Sequence, residues 1–340
     1  MFSVKVEPRV ERVISEALDG RPAVDPEQVA ALLEIPLFSA ESALLQAAAR
    51  HVSERACNGR AEVHAQVAMN VGPCPKDCLF CSFAACHDLF PVAKEIPLDY
   101  VIDQAVCFER AGANAVYLMA TGSYPFGRFI ERAREVRRRL QPDTVLVANV
   151  SDFSATQAAQ LKDAGFAGIY HAVRLGEGRD TGIPVSRRLR TMALAREAGL
   201  AIGTCLEPVG PEHTTAELVE KLLITRDVAP VFAGAARRIS VPDTSLARHG
   251  MVSEARMAHI LAVARLVLPL DVRGNCTHEP SVLGAAVGAN LFWAESGANP
   301  RDTRERTEEG RGLSVGRCRE LLGDASWDCL AGSSAFFSLA

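Results

Sequence analysis

The pattern of apolar and polar positions divides the chain into a helical start and a longer alternating section. Residues 11–17, 25–33 and 39–50 each mix apolar and charged side chains at helical spacing. No strand pattern interrupts these three stretches. The sequence therefore predicts a helical N-terminal cap over residues 1–60.

From about residue 61, short apolar segments alternate with loops and amphipathic helices. Two capping-box patterns mark helix starts, Ser154 with Gln157 and Thr214 with Glu217. The eight predicted strands are residues 62–70, 115–119, 144–149, 168–174, 200–206, 238–241, 268–272 and 290–294. Strands that alternate with helices indicate a parallel sheet. We therefore predict an α/β fold, a (β/α)8 TIM-type barrel over residues 61–296, either fully closed or left open.

The last part of the chain, residues 297–340, is polar and then rich in Gly and Ser. We predict that it forms a C-terminal extension that folds over the barrel mouth. The length of 340 residues suits one barrel with extensions, and the hydrophobic fraction of 48% permits a large buried core.

Charge and hydropathy limit the classes of partner. The chain has 37 Lys and Arg against 41 Asp and Glu, and a net charge of −4 gives no general attraction to nucleic acid or membrane surfaces. No apolar run approaches the roughly 18 residues that span a bilayer. The start of the chain lacks the apolar stretch of a secretory signal. We expect a cytoplasmic protein whose ten cysteines are metal ligands, catalytic groups or buried thiols.

The strongest chemical signal is a set of three cysteines directly after the first predicted strand. Cys74, Cys78 and Cys81, hereafter the cysteine triplet, stand where such barrels place their chemistry. Three thiolates can hold a [4Fe-4S] cluster by three irons and leave the fourth iron open to another ligand. The alternatives are a zinc site completed by Cys86 or His87, and three ordinary buried thiols.

The spacing of the triplet, with an aromatic residue before its last cysteine, resembles the radical S-adenosylmethionine (SAM) superfamily. Within it, the chain resembles the branch of biotin synthase, the [FeFe]-hydrogenase maturase, methylornithine synthase and the two-component lipoyl synthases. The resemblance covers residues 20–300 and includes the segments 70–73 and 240–244. It implies a [4Fe-4S] cluster whose open iron binds SAM, and a 5′-deoxyadenosyl radical that removes hydrogen from an unactivated carbon.

The resemblance also implies residues that bind SAM. Gly122 and Ser123 follow the second strand, where the family has a segment for the methionine amine, although this chain has no glutamate there. Glu177 resembles the residue that contacts the SAM amine or ribose, and Arg190 resembles the arginine that pairs with the SAM carboxylate. The alternatives are a simple turn at Gly122 and solvated surface charges at the other two positions.

Four further side chains are candidates for contacts in the same region. The resemblance places Phe80 beside the adenine of SAM, with a core aromatic as the alternative. Glu207 faces either the cavity, as a contact to SAM or substrate, or the rim. His171 and His278 fall at predicted strand ends and either touch substrate or have a structural role.

Cysteines near the end of the chain suggest a second cluster. Biotin synthase holds a [2Fe-2S] cluster with cysteines on strands two, three and five, and here Cys205 alone lies near such a position. If the extension covers the mouth, later cysteines can hold a second iron–sulfur cluster, with Ser333 or Ser334 as the analogue of the lipoyl synthase ligand. The candidate ligands are Cys276, Cys318 and Cys329. The alternative is three unrelated thiols.

The leading hypothesis is a radical SAM transferase that inserts sulfur into an unactivated C–H bond, as in lipoyl or biotin synthesis. One alternative is a single-cluster radical SAM enzyme, a mutase or lyase for carbon-skeleton rearrangement or metallocofactor maturation. Another is a non-catalytic, metal-stabilised binding protein. The expected partners are SAM, a small-molecule or carrier-bound substrate, and reduced flavodoxin or ferredoxin as electron donor, without nucleic acid or membrane.

Overall fold

Eight parallel strands form a closed barrel in the computed structural model, which describes residues 6–337. Residues 1–5 of the predicted cap and 338–340 of the predicted extension lie outside the described residues. The barrel strands are β1 (Arg60–Ala68), β2 (Ala115–Met119), β3 (Val145–Asn149), β4 (Gly168–Tyr170), β5 (Ala201–Gly203), β6 (Phe232–Arg237), β7 (Gly274–Cys276) and β8 (Leu291–Ser296). Each pairs with the next in chain order, and β8 pairs with β1. The predicted TIM-type barrel is confirmed, and it is closed.

Helices surround the barrel and precede it. They are α1 (Pro8–Leu18), α2 (Pro26–Glu34), α3 (Ala40–Ala56), α4 (Leu98–Arg110), α5 (Phe126–Arg139), α6 (Ala155–Asp163), α7 (Val185–Glu197), α8 (Thr215–Asp227), α9 (Glu254–Val267), α10 (Val282–Ala286) and α11 (Val315–Asp324). The first three form the helical N-terminal region: α2 and α3 pack against α8 and α9, and α1 packs on α2 and α3. Both predicted capping boxes are present, at the starts of α6 and α8. Among the described helices, none has the length and apolar character to cross a membrane.

Four short strand segments lie outside the ring of eight. Asn70–Val71 pairs with Lys94–Glu95 and forms the base of the loop that follows β1. Leu206–Val209 pairs with β6, and Asp328–Cys329 pairs with the first residues of β1.

Strands β6 and β7 do not lie where the sequence predicts them. Residues 238–241 belong to the loop after β6, and residues 268–272 belong to the turn between α9 and β7. The true strands contain small or polar residues, which carry little strand signal. The close packing of β6 against β7 requires small side chains. A Cβ at Gly234 would lie 2.1 Å from the carbonyl oxygen of Cys276.

Aromatic side chains fill the interior of the barrel. The rings of Tyr117 and Trp293 lie 4.6 Å apart, and His64 contacts both. The two ring nitrogens of His64 hydrogen-bond with the Tyr117 hydroxyl at 2.9 Å and with Glu62 at 2.8 Å. The interior is therefore a packed core rather than a pore, and open space remains only towards the mouth.

The C-terminal extension closes the end of the barrel opposite to the predicted one. The Asn114 amide donates to the carbonyls of Leu330 and Gly332, at 3.1 and 2.7 Å. The amide of Ala335 donates to Glu62 at 2.8 Å. Glu62 and Asn114 stand at the amino ends of β1 and β2, so the end of the chain covers the bottom. The first part of the extension lies at the mouth instead, where Arg301 and Arg311 both pair with Glu279 beyond β7.

Candidate active site

The cysteine triplet lies on the loop between β1 and α4, at the carboxyl end of the barrel. The amide of Cys74 donates to the carbonyl of Phe83 at 2.7 Å, which closes the loop at its base. Within the loop, the amide of Cys81 donates to the carbonyl of Cys78 at 2.9 Å. Backbone hydrogen bonds therefore hold the three thiols on one short, folded segment.

Neighbouring loops anchor this segment on several sides. The amide of Leu79 donates to the carbonyl of Asp180 at 2.9 Å, and its carbonyl accepts from Leu246 at 3.2 Å. The amide of Ser82 donates to the carbonyl of Pro300 at 3.0 Å. The loops after β4, β6 and β8 thus meet the triplet loop at the mouth.

The surroundings of the triplet do not form a zinc site. Both ring nitrogens of His87 are engaged, with the Cys81 carbonyl at 2.9 Å and the Ser245 hydroxyl at 3.0 Å, and Cys86 is exposed. Zinc draws its ligand atoms to within about 4 Å of one another. Within residues 6–337, only a group elsewhere in the barrel has three His, Cys or carboxylate donors within 4.8 Å of one another. Three thiols without a fourth side-chain ligand fit a cluster that keeps one iron open.

Burial affects the protonation of the triplet. It raises the pKa of the Cys78 thiol, and it raises the pKa of Cys81 to about 12. In the metal-free protein both groups are thus neutral thiols. Iron binding must displace their protons, which couples cluster assembly to pH.

Two adjoining cavities open beside the triplet. The first measures about 160 Å³. Its lining includes Phe80, Gly122, Asn149, His171, Arg174 and Arg188. The second measures about 100 Å³. Its lining includes Tyr170, Glu207, His278 and Arg301, and it shares Phe80 and Arg174 with the first. The triplet and both cavities therefore form one continuous site.

Phe80 and Gly122 line the first cavity, whereas Ser123 holds the loop behind it. A Cβ at Gly122 would lie 3.2 Å from a triplet sulfur, so glycine permits the close approach of the turn. The Ser123 hydroxyl donates to the carbonyl of Pro73 at 3.1 Å. Ser123 therefore ties the turn after β2 to the triplet loop, instead of pointing to the cavity.

Glu177 is turned into the protein rather than towards the cavity. Its side chain is 0% exposed. One carboxylate oxygen accepts from the Thr181 hydroxyl at 2.6 Å. The other accepts from the amide of Arg174 at 3.0 Å and from Arg188 at 3.2 Å. The structure thus places the Glu177 carboxylate behind the cavity lining, where these internal partners engage both oxygens.

Arg188, and not Arg190, reaches the cavity. The two residues lie on α7, and positions two apart on a helix differ by about 200°. Arg190 is exposed on the outer face. The Arg188 side chain is 5% exposed and pairs with Asp152 at 3.3 Å and Glu177 at 3.2 Å. The structure therefore places Arg190 away from the cavity and Arg188 in its lining.

Asp152, which the sequence analysis did not single out, orients two cavity side chains. Its carboxylate accepts from the Thr191 hydroxyl at 3.0 Å and lies 3.1 Å from His171. Burial alone would raise the pKa of Asp152, but His171 and Arg188 hold it below its ordinary value. Burial lowers the pKa of His171, which keeps the imidazole neutral. The position of Asp152 just after β3 is the only sequence signal for this role.

Glu207 faces the second cavity. The Tyr170 hydroxyl donates to it at 2.8 Å, and Arg174 lies 3.4 Å from its other oxygen. Burial raises the pKa of Tyr170, so the phenol keeps its proton. Arg301, from the segment after β8, is a further charged side chain in the lining of the second cavity. No sequence pattern indicated this role for Arg301.

The structure does not bring the three late cysteines together. Cys318 lies on α11 outside the barrel, with its thiol 3.3 Å from the carbonyl of Trp293. Cys329 pairs beside the start of β1, and Ser334 bonds to Asn114 at the same closed end. Cys276 lies inside the barrel at the end of β7. The three candidate ligands of the predicted second cluster therefore do not meet at the mouth, because the end of the extension runs to the bottom of the barrel.

Comparisons with known proteins give a consistent result. No family model matches the sequence. Biotin synthase of Desulforudis audaxviator is 27% identical over 281 residues, which is 78% of this chain and 84% of that protein. Biotin synthase of Methylobacterium radiotolerans is 27% identical over 289 residues, 79% of this chain and 83% of that protein.

Solved structures show the same architecture. Methylornithine synthase superimposes with a TM-score of 0.77 at 15% identity, covering 94% of this chain and 97% of that one. The FeFe-hydrogenase maturase of Carboxydothermus hydrogenoformans gives 0.75 at 17% identity, covering 94% and 78%. In its cysteine spacing, its closed barrel and its sequence, the chain is similar to the biotin synthases and to the barrel architecture of these two enzymes.

Proposed function

We propose that this enzyme inserts sulfur into an unactivated C–H bond of a small polar substrate. Radical SAM enzymes use a [4Fe-4S] cluster and SAM. The observation that carries the proposal is the cysteine triplet beside a cavity that no fourth side-chain ligand closes. When bound, the cluster and SAM would supply a 5′-deoxyadenosyl radical that removes the substrate hydrogen.

The first cavity offers groups suited to SAM. Arg188 has the planar guanidinium that pairs with a carboxylate through two hydrogen bonds, and Asp152 and Glu177 hold it in place. Phe80 offers an aromatic face for the adenine ring. Gly122 leaves room beside the triplet. These residues, rather than Arg190, are the proposed SAM contacts.

The second cavity offers groups suited to a polar substrate. Glu207 and Arg301 provide opposite charges, and the Tyr170 hydroxyl is held on Glu207. The nearby Glu207 raises the pKa of Arg174 against the effect of burial, so Arg174 remains a cation. Because Phe80 and Arg174 line both cavities, a bound substrate would lie next to SAM. The packed aromatic interior below excludes water from that position.

The biotin synthase relatives support sulfur insertion as the reaction. A second candidate, a single-cluster rearrangement, is favoured by one observation: Cys318 and Cys329 lie outside the barrel, so within residues 6–337 they do not join Cys276 as ligands of a donor cluster. Iron and sulfide analysis of the anaerobically reconstituted protein separates the two. About eight irons per chain supports a sulfur-donor cluster, and about four supports the rearrangement.

Anaerobic reduction with SAM tests the radical step itself. We expect the reconstituted protein to form 5′-deoxyadenosine and methionine, and Cys78→Ala to abolish both products. The matched control is Cys86→Ala, since Cys86 is an exposed thiol in the same loop. The proposal fails if the wild type with its full iron content forms no 5′-deoxyadenosine, or if Cys78→Ala retains full cleavage.

A further inference from the structure

A second group of metal-binding side chains lies inside the barrel, away from the triplet. The donor atoms of Cys205, Cys276 and His278 all lie within 4.8 Å of one another. Cys205 follows β5, and the other two residues stand at and just beyond the end of β7. Ligands at about 2.0 to 2.3 Å from a tetrahedral ion lie under about 4 Å apart. The group is thus close to the size of a site for a single ion.

These donor atoms have few other partners. Both thiols are fully buried. Apart from each other, the two thiols have only long contacts: the Cys276 sulfur lies 3.8 Å from the Thr204 carbonyl, and the Cys205 sulfur lies 3.8 Å from the Leu206 carbonyl. The Nε2 atom of His278 is buried without a hydrogen-bond partner, and such an atom costs free energy unless something binds it. Tyr170 and Trp293 hold the imidazole between them, with ring centroids at 5.2 and 4.9 Å.

The charges around the group permit metal binding. Arg301 and Arg311 both approach the backbone carbonyl of His278, at 3.2 and 3.5 Å. Glu279 and Glu295 pair with both arginines. A divalent ion with two thiolates adds no net charge to this region.

We propose that Cys205, Cys276 and His278 bind one divalent metal ion of the zinc type, Zn²⁺ or Fe²⁺. Two thiolates and an imidazole are a donor set that Zn²⁺ prefers, and binding releases the two thiol protons to solvent. Three protein ligands leave the fourth position to an exogenous ligand. Because His278 lines the second cavity, the ion borders the substrate site, where a thiolate or sulfide is the class of ligand that it takes. The inference does not rest on sulfur insertion.

Metal content of the cluster-loaded protein tests the site. The reconstituted holoenzyme is incubated anaerobically with Zn²⁺, passed through a desalting column and analysed for zinc and iron. We expect about one zinc per chain in the wild type and a loss of at least about tenfold in Cys205→Ser and Cys276→Ser. Cys318→Ser, which alters a buried thiol outside the barrel, is the control and should keep its zinc.

Three results would overturn the inference: a wild type without zinc, zinc retained in both serine variants, or a Cys205–Cys276 disulfide in the anaerobic protein by mass spectrometry. If a serine variant fails to fold, His278→Gln is tested in its place, and we expect it to weaken zinc binding. Co²⁺ provides a second readout, because a thiolate-to-cobalt absorption band should appear in the wild type and vanish in the variants. SAM cleavage is measured in parallel. Failure of cleavage in the wild type counts against the proposed function and leaves the zinc result standing.

Discussion

At the scale of single residues, Arg188 and Arg190 differ sharply although both lie on α7. Arg188 is held between Asp152 and Glu177 and lines the cavity, while Arg190 is exposed. Lysine at position 188 keeps a cation between the two acids but loses the planar fork. We expect Arg188→Lys to weaken SAM binding by about tenfold or more, because a hydrogen bond to a charged group contributes about 1.5 to 3 kcal/mol.

The measurement is SAM affinity of the reconstituted protein, by equilibrium binding, with the KM for SAM in the cleavage assay as a second readout. Arg190→Lys is the matched control and should leave both values unchanged. Equal effects of the two substitutions would contradict the assignment of Arg188 as the SAM contact.

At the scale of elements, β5 tests how tightly the barrel is packed. A Cβ at Gly203 would lie 2.1 Å from the ring of Phe232, whereas a Cβ at Gly323 in α11 meets nothing within 4 Å. Overpacking costs about 1 to 3 kcal/mol, and alanine stabilises a helix interior relative to glycine by up to about 1 kcal/mol. We therefore expect Gly203→Ala to lower the free energy of unfolding in urea and Gly323→Ala to leave it equal or higher. The reverse order would show that β5 and β6 do not pack as described.

The start of α8 gives a prediction about pH. Burial alone would raise the pKa of Glu217, but the Thr214 amide and Arg179 lower it to about 2 from an ordinary value of 4.5. A lowered pKa means that the charged form stabilises the fold above pH 4.5, and that this contribution disappears as the pH falls towards 2. Glu217→Gln keeps the capping geometry and removes the charge.

We expect Glu217→Gln to be less stable than the wild type at neutral pH by about 1 kcal/mol or less, since the pair with Arg179 is largely exposed. The difference should shrink as the pH falls through the window from 4.5 to about 2. Denaturant unfolding of both proteins across that range measures it. A difference independent of pH would assign the effect to the cap hydrogen bond and not to the charge.

At the scale of the whole molecule, the C-terminal extension closes the bottom of the barrel while the chemistry lies at the mouth. Phe336 is 4% exposed and packs beside His64 at a ring distance of 5.9 Å. Removing a buried phenylalanine costs about 3 to 5 kcal/mol. We expect Phe336→Ala to lower the unfolding free energy by this amount, while the folded enzyme keeps its iron content and SAM cleavage.

Phe38→Ala is the matched control, since the side chain of Phe38 is 90% exposed and its removal should cost little. Unfolding by urea and iron analysis of the folded protein are the two measurements. Loss of iron from folded Phe336→Ala would show that the closed end is coupled to the mouth.

The sequence alone determined the features that depend on neighbouring residues. The capping boxes at Ser154 and Thr214 require a partner three positions away, and both formed. The triplet is likewise local, because its three thiols lie on one loop whose place after β1 follows from the strand pattern. The alternation of strands and helices predicted the barrel, since a parallel sheet requires a crossover between strands.

Only the tertiary structure decided which distant residues meet. Helix phase, set by packing against the barrel, turned Arg188 inward and Arg190 outward. Strands β6 and β7 are short and rich in small residues, so their apolar pattern is weak and their close contact appears only in three dimensions. The packing of these strands also brings Cys276 next to Cys205, although the two residues are 71 positions apart in the sequence. Sequence patterns predict backbone hydrogen bonding and amphipathic faces, because both depend on residues a few positions apart. A site with residues from several strands depends on how those strands pair when the barrel closes.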